Sequence, residues 1–307
     1  MANVLQYVTL FQQELDSQIV VGSTTGWMER NSSQVIYDGG REVKIPKVSM
    51  DGLGDYDRSK GYAPGAITLE YETRRMEMDR SREFMLDSMD VNETNFVVNA
   101  SSVMGLFQKQ HVIPEIDAYR YSKIFSEVSK VDERVKYSYE ASAATILSEL
   151  KYQIASIQDS TGDIPLIISM SSIVASILEQ STQLDDIEFG DGDIKRIVKS
   201  IDNVPIIKVP SKRMKTEYIF MDGKTSGQTT GGFKEGPKAL DINWLITPSS
   251  APIAISKTDK PRIFTPDQNQ SADAYKIDYR KYHDLWLLDE PIKLCRACVK
   301  QAKAAQE

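Results

Sequence analysis

The chain has 307 residues, 41% hydrophobic and 26% charged, with a formal net charge of -7 and two cysteines. Such a chain can bury a sizeable core, as one large domain or two ordinary ones. The composition excludes a disordered segment, a disulfide framework and, because phosphate affinity needs clustered Lys and Arg, a general nucleic-acid binder. No apolar run approaches the roughly 18 residues of a membrane span, and the amino terminus lacks the basic start and apolar core of a signal peptide, so a cytoplasmic site of synthesis is expected.

Residues 1 to about 40 are polar and weakly periodic and read as an arm, with Tyr7, Phe11, Trp27 and Tyr37 as its large aromatics. From Val43 the pattern is extended: REVKIPKVSM, the glycine-punctuated DGLGDYDRSKGYAPG, then AITLEYET, in which Ile67, Leu69 and Tyr71 alternate with Thr68 and Glu70. Two strands thus flank a tip from about Asp51 to Gly65, too long for a tight hairpin. At about 3.3 Å per residue, arms of about ten residues project about 30 Å. A lone two-stranded ribbon is marginal in water. It needs a surface, and the reading places its apolar face and tip aromatics, Tyr56 and Tyr62, on a neighbouring copy.

The charged stretch RRMEMDRSREF reads either as a solvated face or as an intersubunit salt-bridge patch. Asp90 and Glu93 then have capping-box spacing, and Phe96, Ala100, Val103 and Phe107 form one helical stripe. Pro114 either breaks that helix or starts a second segment, 115–128, carrying Ile116, Tyr119, Ile124 and Val128. Helical spacing returns over 138–157 through Ala143, Ile146, Leu147, Leu150, Ile154 and Ile157. A buried strand IPLIIS (164–169), a short helix SSIVASILEQ, an acidic turn LDDIEFGDGD and strands DIKRIVKS and VPIIKVP follow. A glycine-rich tract, GKTSGQTTGG, occupies 223–232. The last third, with INWLITP, APIAIS, PRIF and YKIDYRKYHDLWLLD, is mostly extended and reads as the sheet of a separate elongated lobe. The expected class is α+β.

Motifs for chemistry are sparse. His111 and His283 are the two histidines, without HExxH or repeated CxxC spacing, and no GxSxG occurs. Catalytic, metal and cofactor residues are therefore expected to be none. Cys295-Arg-Ala-Cys298 has the CxxC spacing of redox motifs but sits in a Lys-rich tail; a thiol enzyme is the competing reading from another class, and a tail-tube or adhesin subunit a third. The tip lacks GxxxxGK followed by Ser or Thr, and a ribbon tip offers phosphate no helix amino terminus. Its mixed charges instead suit a register-setting interface. Asp55, Tyr56, Asp57, Arg58, Lys60 and Tyr62 are the expected intersubunit contacts.

VKIPK before the loop, GLGDYDRSKGY at its tip, ITLEYET on the return, MDRSREFMLDSMDVNETN and VIPEIDAYRYSKI resemble the major capsid proteins of tailed bacteriophages with the Hong Kong 97-type fold. IPLIISMSS, VKSIDNVPIIKVPSKRM, INWLITPSSAPIAISKTDKPRIFTPD and YKIDYRKYHDLWLLD extend the resemblance over most of the chain. It implies an N-terminal arm (1–42), an E-loop (43–75), a P-domain with spine helix and long sheet (76–137), an A-domain (138–247), and P-domain return strands with a C-terminal tail (248–307). It also implies a non-enzymatic function: self-assembly as hexamers and pentamers into an icosahedral shell around double-stranded phage DNA, held without sequence-specific binding. The expected location is the virion, after assembly in the host bacterial cytoplasm. The alternative within the fold is an encapsulin-like nanocompartment enclosing a cargo enzyme. Some relatives carry a cleaved scaffolding segment; this chain begins with an arm, so a separate scaffolding protein is expected, with a portal and, where the shell carries them, decoration proteins. Some relatives crosslink a loop Lys to an Asn; Lys60 is in the loop, but no motif marks a partner and crosslinking is not expected. The tail KLCRACVKQAKAAQE matches least.

Overall fold

Two sheets meet along one long helix, and the burial of each strand follows from which of those surfaces it faces. The structure is a computed structural model that describes residues 22–37, 39–56, 58, 61–62, 64–87, 104–180, 184–191, 194–258, 262–264 and 266–303.

The seven-stranded sheet runs in the order Val135–Lys136, Arg296–Val299, Ile242–Pro248, Leu166–Ser171, Val204–Val209, Ile194–Ile201 and Asp185–Asp191. Its two central strands, Leu166–Ser171 and Ile242–Pro248, are buried at every residue. Both faces are covered, which is why these strands are near-continuous apolar runs without alternation. On one face Trp244, Ile246, Ile168 and Cys298 pack on Ile146, Leu150, Ile154 and Ile157 of the helix Ile146–Thr161. On the other, Leu245, Ile167, Ile207, Ala297 and Val299 pack on Tyr121, Ile124, Phe125 and Val128 of the helix Ile113–Val128. Ile242 and Trp244 would share a face at a period of two, but a bulge between them sends them to opposite faces.

The four-stranded sheet is built on the 14-residue strand Ala274–Leu287. Met78–Asp87 pairs along one side of it, and Arg262–Phe264 and Pro252–Thr258 along the other. Met78–Asp87 contains most of the charged stretch whose environment the sequence left open. It is an edge strand, where charge guards against further pairing, and its acids meet cations of the same chain: Asp79 with Arg280 at 2.8 Å and Glu83 with Lys276 at 2.7 Å.

Several expectations shift. The second-lobe helix begins at Ile146 instead of near 138. The acidic stretch expected as a turn is the strand Asp185–Asp191, paired with Ile194–Ile201 from Asp185 opposite Ser200 to Asp191 opposite Ile194; hairpin pairing overrides the poor strand propensity of Asp and Gly. The terminal strand Arg296–Val299, grouped by sequence with the peripheral lobe in 248–307, pairs with Ile242–Pro248 in the seven-stranded sheet. Pro114 neither breaks the helix nor opens a separate one. A π-turn, Gln108–Val112, leads directly into Ile113–Val128, and the wider turn accommodates the missing N–H and the ring clash with the preceding turn. The capping pair Asp90 and Glu93, and Phe96, Ala100 and Val103, lie outside the described residues, as do residues 1–21 of the arm. The described end of the arm is a packed element: the 3-10 helix Gly26–Gln34 buries Trp27 and Met28 in the core around Ile113–Val128.

Candidate functional site

The ribbon consists of Glu42–Met50 and Ile67–Arg75, paired in register from Glu42 opposite Arg75 to Met50 opposite Ile67. Its root is buried: Val43, Ile45 and Met76 pack with Val35, Ile253, Ile255 and Trp286. Asp284, buried on the long strand, fixes the exit from the ribbon. It accepts hydrogen bonds from the Glu77 backbone N–H at 2.9 Å and the Tyr119 hydroxyl at 2.7 Å, and pairs with Lys123. The ribbon's return end is thereby tied to the helix Ile113–Val128. Burial first, then the Asp284 charge, pushes the Tyr119 phenol far above its usual range, so it stays protonated, donating to Asp284 while accepting from the Lys123 ammonium at 2.9 Å.

Beyond the root the chemistry inverts. Pro46 lies opposite Tyr71, Val48 opposite Leu69 and Met50 opposite Ile67, so the cross-strand pairs of one face are apolar. On the other face Lys47 meets Glu70 and Ser49 meets Thr68. Val48, Met50, Ile67, Leu69 and Tyr71 are all at least half exposed. A contiguous bare apolar face marks an interaction surface. Lys47 forms a 2.6 Å ion pair with Asp289.

At the tip, Asp51 closes the neck by exchanging backbone bonds with Ala66, its N–H donating to the Ala66 carbonyl at 3.2 Å while its carboxylate accepts the Ala66 N–H at 2.8 Å. Tyr56 and Tyr62 meet edge to face at 5.2 Å between centroids, and Leu53 is fully exposed beyond them. Of the six expected contact residues, Tyr56 and Tyr62 meet here, and Asp55 and Arg58 are exposed in the same tip; Asp57 and Lys60 lie outside the described residues.

Sequence reasoning missed the polar hub that seats the arm. Asp117 is completely buried on the helix Ile113–Val128. It accepts from the hydroxyls of Ser23 and Thr25 at 2.6 Å each and of Thr24 at 2.9 Å, and from the Arg213 guanidinium at 3.0 Å. Arg120, one turn on, donates to the Thr25 carbonyl at 3.2 Å and pairs with Glu29 at 2.5 Å. Burial opposes the Glu29 charge, but Arg120, Lys281 and Ser256 together hold its carboxyl below the usual range. The available signal was an acid and an arginine three apart inside IDAYRY, an otherwise apolar helical run.

Cys295 and Cys298 belong to the cores on opposite faces of the sheet. Burial pushes both thiols up to about 12, so neither is a nucleophile at neutral pH. His283 is fully buried beside Tyr119, and desolvation, then the charges of Arg120, Lys281, Arg80 and Lys123, keeps it neutral.

No protein-family model matches the sequence, and no curated protein does. Solved structures match the fold. The mature capsid of bacteriophage PhiM1 aligns at a TM-score of 0.55 and 11% identity, over 86% of this chain and 83% of its own. A Mycobacterium phage Che8 structure aligns at 0.53 and 11%, over 86% of both chains. The capsid of Cyanophage P-SCSP1u aligns at 0.52 and 10%, over 86% and 84%. The chain has the Hong Kong 97-type capsid fold.

Proposed function

We propose that the chain is a major capsid protein that self-assembles as hexamers and pentamers into an icosahedral shell enclosing phage DNA. The observation that carries this reading is the E-loop itself: a ribbon anchored at its root, with a bare apolar face and an exposed aromatic tip, on a fold shared with phage capsids over 86% of the chain. A surface of that kind is stable in water when a neighbour covers it, and Asp55, Tyr56, Asp57, Arg58, Lys60 and Tyr62 are its contact residues. Obligate interfaces commonly bury about 2,000 Å² or more, and closed symmetry keeps the assembly finite. The working boundaries are an arm over 1–42, E-loop over 43–75, P-domain over 76–137, A-domain over 138–247, and P-domain return strands over 248–307, with Arg296–Val299 lent back to the A-domain sheet. The function is mechanical and non-enzymatic. A separate scaffolding protein and a portal complete the assembly in the host cytoplasm.

The test is negative-stain electron microscopy of the purified full chain, with and without a co-expressed scaffolding protein, followed by analysis of particle contents. Closed shells, or free pentamers and hexamers, are expected. A persistent monomer overturns the reading. Shells from the native source that hold a cargo enzyme in place of DNA replace it with the nanocompartment alternative.

A further inference from the structure

We infer that the cavity between the strand Met78–Asp87, the π-turn Gln108–Val112 and the glycine-rich loop 221–232 is a nucleotide site, with an aromatic base on a wall of rings and its phosphate on Arg82 and Lys224. The site belongs to the single chain and stands apart from the shell reading. The cavity holds about 640 Å³. Pockets of roughly 300–1,000 Å³ enclose most of a drug-sized ligand, the size class of a nucleotide.

One wall is aromatic. Phe84 meets Phe107 at 4.9 Å and Phe107 meets Tyr279 at 5.8 Å, both edge to face. The π-turn adds His111, whose exposed ring lies 5.6 Å from that of Phe107 and is tilted from it by 32°. Bases stack on such rings with little regard to sequence, and π-turns recur at functional sites. His283 also lines the cavity; it is 1% exposed, and among the described residues its Nδ1 has no hydrogen-bond partner. A buried polar atom left in that state is costly. A ribose hydroxyl or a base edge satisfies it.

The cations that line the cavity are not all matched. Its acids are engaged elsewhere: Glu115 pairs with Arg80 at 2.6 Å, Asp79 with Arg280 at 2.8 Å and Glu83 with Lys276 at 2.7 Å. Asp222 accepts from the backbone N–H groups of Lys224 at 2.8 Å and Thr225 at 2.9 Å, and from the Thr225 hydroxyl at 2.5 Å. Among the described residues Arg82 and Lys224 form no ion pair, and Arg82 gives only a long 3.4 Å bond to the Thr229 carbonyl. The glycine tract closes over that arginine. Gly223 and Gly231 adopt positive φ of 72° and 66°, and a Cβ on either would come within 3.4 Å and 3.3 Å of the guanidinium. A guanidinium grips phosphate with two parallel N–H bonds, and a lysine adds a point charge. Bases in a duplex are stacked and paired and do not reach such a pocket. The ligand is therefore a free nucleotide or an unpaired nucleotide of a strand.

The test is isothermal titration calorimetry, with melting shifts in parallel, of the purified full chain with adenosine monophosphate, adenosine, inorganic phosphate and a short single-stranded oligodeoxynucleotide. Adenosine monophosphate is expected to bind at least about tenfold tighter than adenosine or phosphate alone. Arg82→Gln and Lys224→Gln are each expected to weaken it at least about tenfold, with adenosine binding and the melting temperature of the free chain unchanged. Phe107→Leu is expected to weaken adenosine monophosphate and adenosine alike, by about fivefold or more. If that variant does not fold, His111→Ala, which removes an exposed ring, takes its place. An oligonucleotide that binds tighter than the mononucleotide and is lost in the same variants assigns the site to a strand; binding of the mononucleotide alone assigns it to a free nucleotide, and either result supports the inference. Neither heat nor a melting shift with both ligands up to millimolar concentration overturns it. Phosphate that binds as tightly as adenosine monophosphate, or cation variants that bind as the wild type does, overturn it as well.

Discussion

Asp117 accepts hydrogen bonds from four residues, all distant from it in sequence, that converge on one buried point of the helix Ile113–Val128. Removing a buried partner of this kind strands the groups it satisfied. Asp117→Ala is expected to cost about 3–5 kcal/mol of stability, read from the denaturant midpoint at unchanged slope. His283 sets a pH dependence. The unfolded histidine titrates near 6.5, and burial with its cationic neighbours holds the folded one well below that. Above about 6.5 both states are neutral and nothing is lost; as pH falls below it the unfolded chain takes up the proton first and stability declines toward the folded pKa. The midpoint is therefore expected to fall between pH 7 and 5, with a shallower fall in His283→Gln. Cys295 and Cys298 are expected to remain silent to a thiol reagent in native protein and to react fully once it is unfolded, which separates the shell reading from a redox enzyme.

The ribbon divides into a root that belongs to the core and an outer part that does not. Ile253→Ala, in the root cluster, is expected to cost about 2–5 kcal/mol. Tyr56→Ala is expected to leave stability within about 0.5 kcal/mol, since its ring is exposed and meets only Tyr62 among the described contacts, yet to abolish shell assembly in electron micrographs. A variant that loses neither argues against the tip as an interface. Other elements depended on partners. The strand Asp185–Asp191 reads as a turn because Asp and Gly are poor strand formers, and only the facing Ile194–Ile201 makes it a strand. Met78–Asp87 reads as a charged face because its cross-strand cations, Lys276 and Arg280, lie about 200 residues away in sequence, where no local pattern reaches.

For the whole molecule, assembly and contents follow from surface and charge. In the proposed shell, the net charge of -7 would make a wall that confines nucleic acid more than it grips it. Purified capsomers are expected to show no binding to a double-stranded DNA fragment at physiological salt in a filter-binding assay; tight, salt-sensitive binding would contradict this. In the proposed shell each copy is held by its neighbours, so the assembled wall is expected to be more stable than the single chain and to depend on protein concentration.

Local physics determined the parts that need only neighbours in the chain. Alternation of Ile67, Leu69 and Tyr71, the run IPLIIS and the 3.6-residue stripe through Leu150 and Ile154 each state which face is apolar, because burial follows side-chain period. The ribbon and the α+β class were legible on those grounds. Tertiary structure alone decided what each face meets. Asp117 gathers Ser23, Thr24, Thr25 and Arg213, and Arg296–Val299 crosses from the peripheral segment into the seven-stranded sheet. A bulge turns Ile242 away from Trp244. Such contacts join residues far apart in sequence, and their free energy exists only once the backbone has closed the loops between them.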